Sequence, residues 1–562
     1  MYSNKNHVNQ LTALLVAHGV RHAVVCPGSR NAPIVHNLNE CPQMTCFPVT
    51  DERSAGFYAL GIMQALDEPV VVCVTSGTAL LNLLPAVAEA WYQHLPMIVV
   101  SADRPEQWID QLDGQTLPQP GALGRFVRRT VSLPEDDAWY SGRLINEALL
   151  DALTDDARPV HINVPITEPL FTFDVAQLPS VRQVIRTSPP RDYGCIYPEF
   201  IDALANAQRP MIVFGQSSPH RFEDSGLNFL YSHFIVLHEA LSNFPTVSHF
   251  DEVLCRLESG AQSEEQLLPP DVIVYVGDTI VSKRLRRFLR SATDAVTWRI
   301  SPSGDVEDTF QNLRGIVVGD PEFVLQALDR KLSFRHLRGR DYRRQWLAAL
   351  KQASCFADGY QPPYSQMAAV KYFEQRCSAF KVQCPTFHVH YANSSAIRLA
   401  NIYACHHVWC NRGVNGIEGS LSTAAGFSLV AQAPSLTSPL PSLTFCVIGD
   451  LSFFYDQNAL WNQSLRGNLR ILLLNNGGGG IFRQLPGLEQ SAACDRLVAA
   501  AHSTSAEGIC HECRVTYLCA DTMEQMQRGI DALFTTVSVR PVLLEVTTDA
   551  AEDERALINY FH

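Results

Sequence analysis

The amino-acid sequence predicts an α/β protein built from three doubly wound parallel-sheet domains. Three observations carry that prediction. Nearly continuous Val/Ile/Leu runs such as Val70–Val74, Val272–Val276 and Ile471–Leu474 mark strands buried on both faces of a parallel sheet. Segments of helical length separate these runs. A chain of 562 residues is too long for one hydrophobic core, and about three domains follow from that length.

The first domain, residues 1–185, opens with a helix over Val8–Ala17, amphipathic and without the basic-then-apolar order of a signal peptide. The strand His22–Cys26 then enters Pro27-Gly28-Ser29-Arg30. The strand Val70–Val74 enters Thr75-Ser76-Gly77-Thr78-Ala79 and a long helix to about Trp91. Strands Met97–Val100 and Val160–Val164 follow. The polar stretch Ser180–Tyr197, with Pro189-Pro190, reads as a linker. The second domain, residues 186–350, has strands near Met211–Phe214, Phe234–Leu237, Val272–Val276, Val296–Ile300 and Ile316–Val318. Charged residues Arg335–Arg344 and then Tyr360-Gln-Pro-Pro363 mark the next boundary. The third domain, residues 351–562, has strands near Thr386–His390, Val408–Trp409, Thr444–Ile448, Ile471–Leu474 and Val542–Val546.

Composition narrows the function. A net charge of −13 weighs against nucleic-acid and membrane-surface binding, and no apolar stretch is long enough to span a bilayer. The 16 cysteines sit mostly in apolar runs, as at Cys73 and Cys446, which is how free thiols behave in a reducing, cytoplasmic setting. Cys510-His-Glu-Cys513 has the spacing of half a zinc site but no companion pair, so it reads as structural. Cys405-His406-His407 and His388/His390 carry equally little weight as metal ligands.

Chemistry concentrates in Leu443–Phe482. One apolar run ends in Gly449-Asp450, a helix-like segment follows, and a second run ends in Asn475-Asn476 and four glycines. Asp450 offers a carboxylate oxygen, the Asn475-Asn476 pair an amide oxygen and Gly478 a backbone carbonyl. That donor set suits a hard divalent cation, Mg2+ or Mn2+, gripping a diphosphate. Both turns stand at strand ends, where open α/β sheets bind ligands. The Gly-Asp…Asn-Asn pattern resembles the cofactor motif of thiamine-diphosphate enzymes.

Further motifs appear in order: Pro27-Gly28-Ser29-Arg30, Asp51-Glu52-Arg53, Thr75-Ser76-Gly77-Thr78-Ala79, Ala102-Asp103-Arg104-Pro105, Asn411-Arg412-Gly413, Gly416-Ile417-Glu418-Gly419, the Leu421–Gly426 run and Gly449-Asp450-Leu451-Ser452. With them the chain resembles the 2-succinyl-5-enolpyruvyl-6-hydroxy-3-cyclohexene-1-carboxylate synthase family of menaquinone biosynthesis. The resemblance implies pyrimidine-binding, central and diphosphate-binding domains in that order. It implies decarboxylation of 2-oxoglutarate and conjugate addition of the succinic-semialdehyde carbanion to isochorismate. It also implies a homodimer or homotetramer, with each cofactor between the first domain of one subunit and the third of another.

Residue roles follow from the same resemblance. Glu52 is the carboxylic acid that bonds the aminopyrimidine, and a desolvated glutamate there has a raised pKa. Ile417 wedges the cofactor into its bent shape, and Gly449, Asp450, Leu451, Ser452, Asn476, Gly478 and Ile481 line its diphosphate side. Asp450, Asn476 and Gly478 hold the metal. Arg30, Gln115, Lys283, Arg284, Ser394, Arg398 and Arg412 contact substrate, while Ile481, Phe482 and Leu485 form an apolar wall. Both substrates carry two carboxylates, which suits the arginine fork. Arg104 fits either a substrate contact or a structural ion pair. Two positions depart from the resembled pattern: Gly114 stands before Gln115 where an asparagine occurs in some relatives, and Gly477 stands where a third asparagine can occur. Neither removes a metal ligand. The alternatives are another thiamine-diphosphate 2-oxo-acid decarboxylase or carboligase, which would have less use for so many arginines, and a non-catalytic cofactor-binding regulatory protein.

Overall fold

The computed structural model describes residues 1–187, 198–217, 227–260, 267–383, 386–431, 442–483, 485 and 487–561. Most of the expected linker, 188–197 with Pro189-Pro190, lies outside them. Three sheets are present. The first comprises β1 (His22–Val25), β2 (Thr45–Pro48), β3 (Val70–Val74), β4 (Met97–Asp103), β5 (Thr130–Ser132) and β6 (Val160–Pro165), in the order β2-β1-β3-β4-β6-β5. The second comprises β7 (Pro210–Phe214), β8 (Ile235–His238), β9 (Val272–Val276), β10 (Val296–Ser301) and β11 (Leu313–Val318), in the order β11-β10-β9-β7-β8. The third comprises β12 (Phe387–Tyr391), β13 (Leu443–Gly449), β14 (Leu469–Asn475), β15 (Thr516–Ala520) and β16 (Val542–Thr547), in the order β12-β13-β14-β16-β15. Every pairing within the sheets is parallel.

The central strands are those the apolar runs predict, and β3, β4, β7, β9 and β14 are buried along their whole length. The strands without a clear sequence signal are short or at sheet edges. β5 has only 3 residues, and β15 is an edge strand with a mixed burial pattern. An edge strand buries less surface and needs no continuous hydrophobic run. Val408–Trp409, expected as a strand, makes only the isolated bridge His390↔Trp409. The single helix expected up to Trp91 is two, Thr78–Asn82 and Leu84–Tyr92, with Pro85 in the first turn of the second. Proline lacks the N–H that a continuous helix would need there.

Residues Arg335–Arg344, expected to mark a boundary, lead into a helix over Arg340–Gly359. Its buried residues Tyr342, Trp346, Ala349 and Ala353 recur at helical spacing and join the core of the second sheet. Residue 350, the expected boundary, lies inside this helix, whose Ala357 packs with residues of the third sheet.

The first and third sheets share one core. Leu60, Ile62 and Val72 belong to the same buried cluster as Leu421, Ala424, Ile448 and Leu473. The seam is the helix Glu52–Leu66 against the helix Ser420–Val430, and both are buried over most of their length. The two backbones nearly touch. A Cβ on Gly61 would overlap the Thr423 carbonyl oxygen, and one on Gly426 would overlap that of Tyr58. Only glycine permits so close a crossing. Tyr58 completes the seam, its hydroxyl donating to Ala459 O at 2.7 Å.

Candidate active site

Parallel register builds the cation half of the site. Ile448 pairs with Leu473 and Gly449 with Leu474 across β13 and β14. The next residues, Asp450 and Asn475, therefore leave the same sheet edge on strands about 4.8 Å apart. Asp450 is 4% exposed. Its Oδ2 accepts the Gly478 N–H at 2.9 Å, and its Oδ1 accepts the Leu451 N–H at 2.6 Å. Burial pushes its carboxyl up against the opposing pull of these N–H groups and of His502. The glycines are required by the space available. A Cβ at Gly477 would stand 2.8 Å from His502 O, and one at Gly478 2.9 Å from Ala499 O.

Asn475, the first of the pair, is structural: its Nδ2 donates to Thr504 O at 2.9 Å and to Glu545 Oε1 at 2.6 Å. Asn476 turns the other way. Its Nδ2 donates to Asp553 Oδ2 at 2.9 Å, which reserves its amide oxygen as a ligand atom. A carboxylate from the turn after β13, with an amide oxygen and a backbone carbonyl from the glycine-lined turn after β14, fits a hard divalent cation. Ser452 and Leu451 follow Asp450 in the short helix Asp450–Tyr455, and Ser452 Oγ donates to Ile417 O, tying Ile417 to this turn. The Ile417 side chain is 40% exposed. Ile481 and Phe482 lie half-buried in the helix Gly480–Arg483, and Leu485 is exposed just beyond it.

The acid half starts at the seam helix. Asp51 caps Glu52–Leu66 by accepting the Arg53 N–H at 2.9 Å, and its other oxygen accepts from Asn458 Nδ2 at 2.8 Å. Arg53 donates to Tyr455 O at 2.7 Å. Glu52 is thus carried by a helix end anchored to the segment that follows Asp450–Tyr455. Its own carboxylate is half-buried and accepts from Asn82 Nδ2 at 3.3 Å. The single chain supplies only part of the desolvation expected of it.

Arg30 lies in the turn after β1, and Gln115 lies in the loop after β4, its backbone close to Gly77. Arg30 is 7% exposed, donates to Ile166 O at 2.9 Å and pairs with Glu168 at 3.2 Å. Gln115 is exposed, with a left-handed φ of 57°. Arg104 pairs with Asp113 at 2.8 Å and donates to Gly114 O at 3.0 Å, so its observed work is to fold the 113–114 loop. The cleft containing Arg30 and Arg104, with Trp108, Leu112 and Glu168, is lined by first-domain residues alone.

The remaining arginines gather elsewhere, between the central and third domains. Ser282 caps the helix Lys283–Ser291, which carries exposed Lys283 at its start. Arg284 reaches Glu258 at 3.3 Å and lies over the Phe561 ring at 4.4 Å. Arg398 feels both Arg412 and Arg284, and burial lowers its pKa together with them. Two buried carboxylates lie beneath. Glu239 accepts the N–H groups of Val281 and Ser282 at 2.7 Å each and is pushed up to about 7 by burial. Asp251 is pushed up to about 6 for the same reason. The Nε atoms of Arg398 and Arg412 are buried without an acceptor. Unsatisfied buried guanidinium donors are costly unless an anion completes them. Ser394 begins the helix that carries Arg398, with φ 73°, a strained backbone for a serine.

Several supporting residues had no distinct sequence signal. Asn393 holds the arginine loop through Nδ2 to Asn411 O and Gly416 O, both 2.6 Å, while its Oδ1 accepts from Arg412 at 3.1 Å. Glu89, on the first domain's helix Leu84–Tyr92, accepts the N–H groups of Gly413 and Val414 at 2.7 Å each. His502 stands 3.5 Å from Asp450, and Asp553 orients Asn476. Each works across a long sequence separation that no local motif encodes.

Residues 5–121 match the family described as "Thiamine pyrophosphate enzyme, N-terminal TPP binding domain". Among curated proteins, the 2-succinyl-5-enolpyruvyl-6-hydroxy-3-cyclohexene-1-carboxylate synthase of Bacteroides fragilis is 44% identical, over 100% of this chain and 99% of that protein. The synthase of the same name from Bacteroides thetaiotaomicron is 42% identical, over 100% and 99%. That of Porphyromonas gingivalis is 33% identical, over 100% and 97%. The chain belongs to the 2-succinyl-5-enolpyruvyl-6-hydroxy-3-cyclohexene-1-carboxylate synthase family of thiamine pyrophosphate enzymes.

Proposed function

We propose that the protein decarboxylates 2-oxoglutarate and adds the resulting succinyl unit to isochorismate, with thiamine diphosphate as cofactor. Family membership supports this reading, and one observation carries it to the substrates: Arg398 and Arg412 each keep a buried Nε without an acceptor, beside Arg284. Such a group suits dicarboxylates and has little use for pyruvate. Thiamine diphosphate supplies the electron sink that lets a 2-oxo acid lose CO2 and pass on its acyl carbon.

The chain's residues supply the rest. Asp450, Asn476 and the Gly478 carbonyl hold Mg2+ or Mn2+ against the diphosphate, and Gly449, Leu451 and Ser452 set the turn. Ile417 and Ile481 shape the cofactor, Glu52 holds a proton at its pyrimidine ring, and Phe482 and Leu485 keep water from the reacting carbon. Arg30, Gln115, Lys283, Arg284, Ser394, Arg398 and Arg412 orient the substrates. The half-buried Glu52 and the first-domain cleft around Arg30 support a site completed by a second subunit, in a homodimer or a tetramer of such pairs. The free state of the 14 described cysteines supports a cytoplasmic location.

The decisive assay supplies 2-oxoglutarate and isochorismate, with and without thiamine diphosphate, and follows CO2 and product mass. Cofactor-dependent CO2 together with the adduct supports the reading. Turnover of pyruvate without 2-oxoglutarate would replace it with a smaller-substrate carboligase, and cofactor binding without CO2 would replace it with a regulatory role. For subunit sharing, a Glu52→Ala chain mixed with an Asp450→Ala chain should recover activity in heterodimers. No recovery after verified exchange refutes the shared site.

A further inference from the structure

Outside the site described above, Glu374, Cys377 and His406 bring a carboxylate oxygen, a thiol sulfur and an imidazole nitrogen within 4.8 Å of one another. Glu374 and Cys377 are three residues apart on the helix Gln366–Gln383 and so share one of its faces. His406 comes from the turn after the helix Ser395–Tyr403. Cys377 is fully buried, and the side chains of Glu374 and His406 are 2% and 10% exposed.

The hydrogen bonding leaves this cluster incomplete. His406 Nδ1 lies 2.9 Å from the His407 carbonyl oxygen, which can only accept, so Nδ1 carries the hydrogen. The neutral ring then turns the Nε2 lone pair inward, 3.0 Å from Glu374 Oε2. The other Glu374 oxygen is held by the Tyr391 hydroxyl at 2.6 Å. His406 Nε2 and Glu374 Oε2 are both buried without a hydrogen bond of acceptable geometry. Two acceptors facing each other need a cation between them, either a proton or a metal. A carbonyl on the far nitrogen and a hydroxyl on the far oxygen are the outer partners that orient metal ligands.

We propose that Glu374 Oε2, Cys377 Sγ and His406 Nε2 form a second metal site, suited to Zn2+, with water in the fourth position. Ligands of a tetrahedral zinc lie about 3.3–3.8 Å apart, so the observed spread of up to 4.8 Å needs only a small contraction. Cys405 is not one of these ligands, since its Sγ is held by Ser378 Oγ at 2.8 Å. A cavity of about 640 Å3, lined in part by Glu374, Ser378, Cys405, His249 and Lys371, gives an ion a way in. A filled site would brace residues 404–412, which join the helix of Arg398 to Arg412. The inference is independent of the proposed reaction.

Its test uses the chelator-stripped full-length chain titrated with Co2+. A stoichiometric thiolate-to-cobalt charge-transfer band with tetrahedral visible bands, displaced by Zn2+, is expected. The oxygen-only Asp450 turn cannot produce a thiolate band. Cys377→Ser should abolish it, Cys510→Ser should leave it unchanged, and His406→Gln should weaken Co2+ binding by at least ~100-fold. Should Cys377→Ser fail to fold, His406→Gln decides. No thiolate band, a band that survives Cys377→Ser, or unchanged affinity in His406→Gln would each show that the gap holds a proton and not a metal.

Discussion

The Asp450 turn and the Glu52 helix end are both strand-to-helix junctions that carry a candidate acid, yet the chain finishes only one of them. Asp450 is 4% exposed, with both oxygens already accepting N–H groups from Leu451 and Gly478. Glu52 is half-buried and keeps one hydrogen bond, to Asn82. The reason is topological. Adjacent parallel strands in register place Asp450 and the glycine loop side by side, so the third domain builds its cation turn alone. Glu52 sits on a helix end that its own chain leaves half-covered. One candidate acid is thus packed tightly within its own domain, whereas the other stays half-buried.

The largest expected effect tests the preformed half. Asp450→Ala should abolish metal-dependent thiamine diphosphate binding in calorimetry, and chelation of the wild type should do the same. Retained affinity in either case would remove Asp450 from the cation. Glu52→Gln should separate the halves: binding stays close to wild type while turnover falls by about 10²–10⁴-fold. Equal losses of binding and turnover would mean that the two halves are not distinct.

The arginine group should give a third pattern. Arg398→Ala or Arg412→Ala should cost about 2–5 kcal/mol in kcat/KM for 2-oxoglutarate or isochorismate, with cofactor affinity little changed. Arg104→Ala removes a partly exposed pair with Asp113 and should change stability by less than about 1 kcal/mol. A collapse of cofactor affinity in Arg104→Ala would assign it to the site after all.

The smallest effect concerns the seam. Asp456 accepts the Ser422 N–H and hydroxyl at 2.7 Å each, and burial pushes its carboxyl up to about 7. Its unfolded value is about 3.9. The folded state therefore binds the proton more tightly, and this contribution to stability is full below about pH 4 and lost as pH rises through about 7. Asp456→Asn should accordingly lose less Tm between pH 5 and pH 8 than the wild type. An identical pH slope in both proteins would show that Asp456 is not responsible.

What the sequence determined by itself is the set of features written locally. Continuous apolar runs specified the central strands because a strand covered on both faces must be hydrophobic at every position. Gly449-Asp450 and Asn475-Asn476 could be placed at the ends of β13 and β14 because turn and strand end are neighbours along the chain. Tertiary structure alone decided the rest. The helix over Arg340–Gly359 runs through the expected boundary, since its buried stripe binds it to the central core. Glycines at 61 and 426 matter only because two helices from distant segments cross there. Asn393, Glu89 and the pairing of Glu374 with His406 depend on contacts between elements far apart in sequence. A hydrogen-bond partner supplied by another element leaves no periodicity or spacing to read, because its position is fixed by packing.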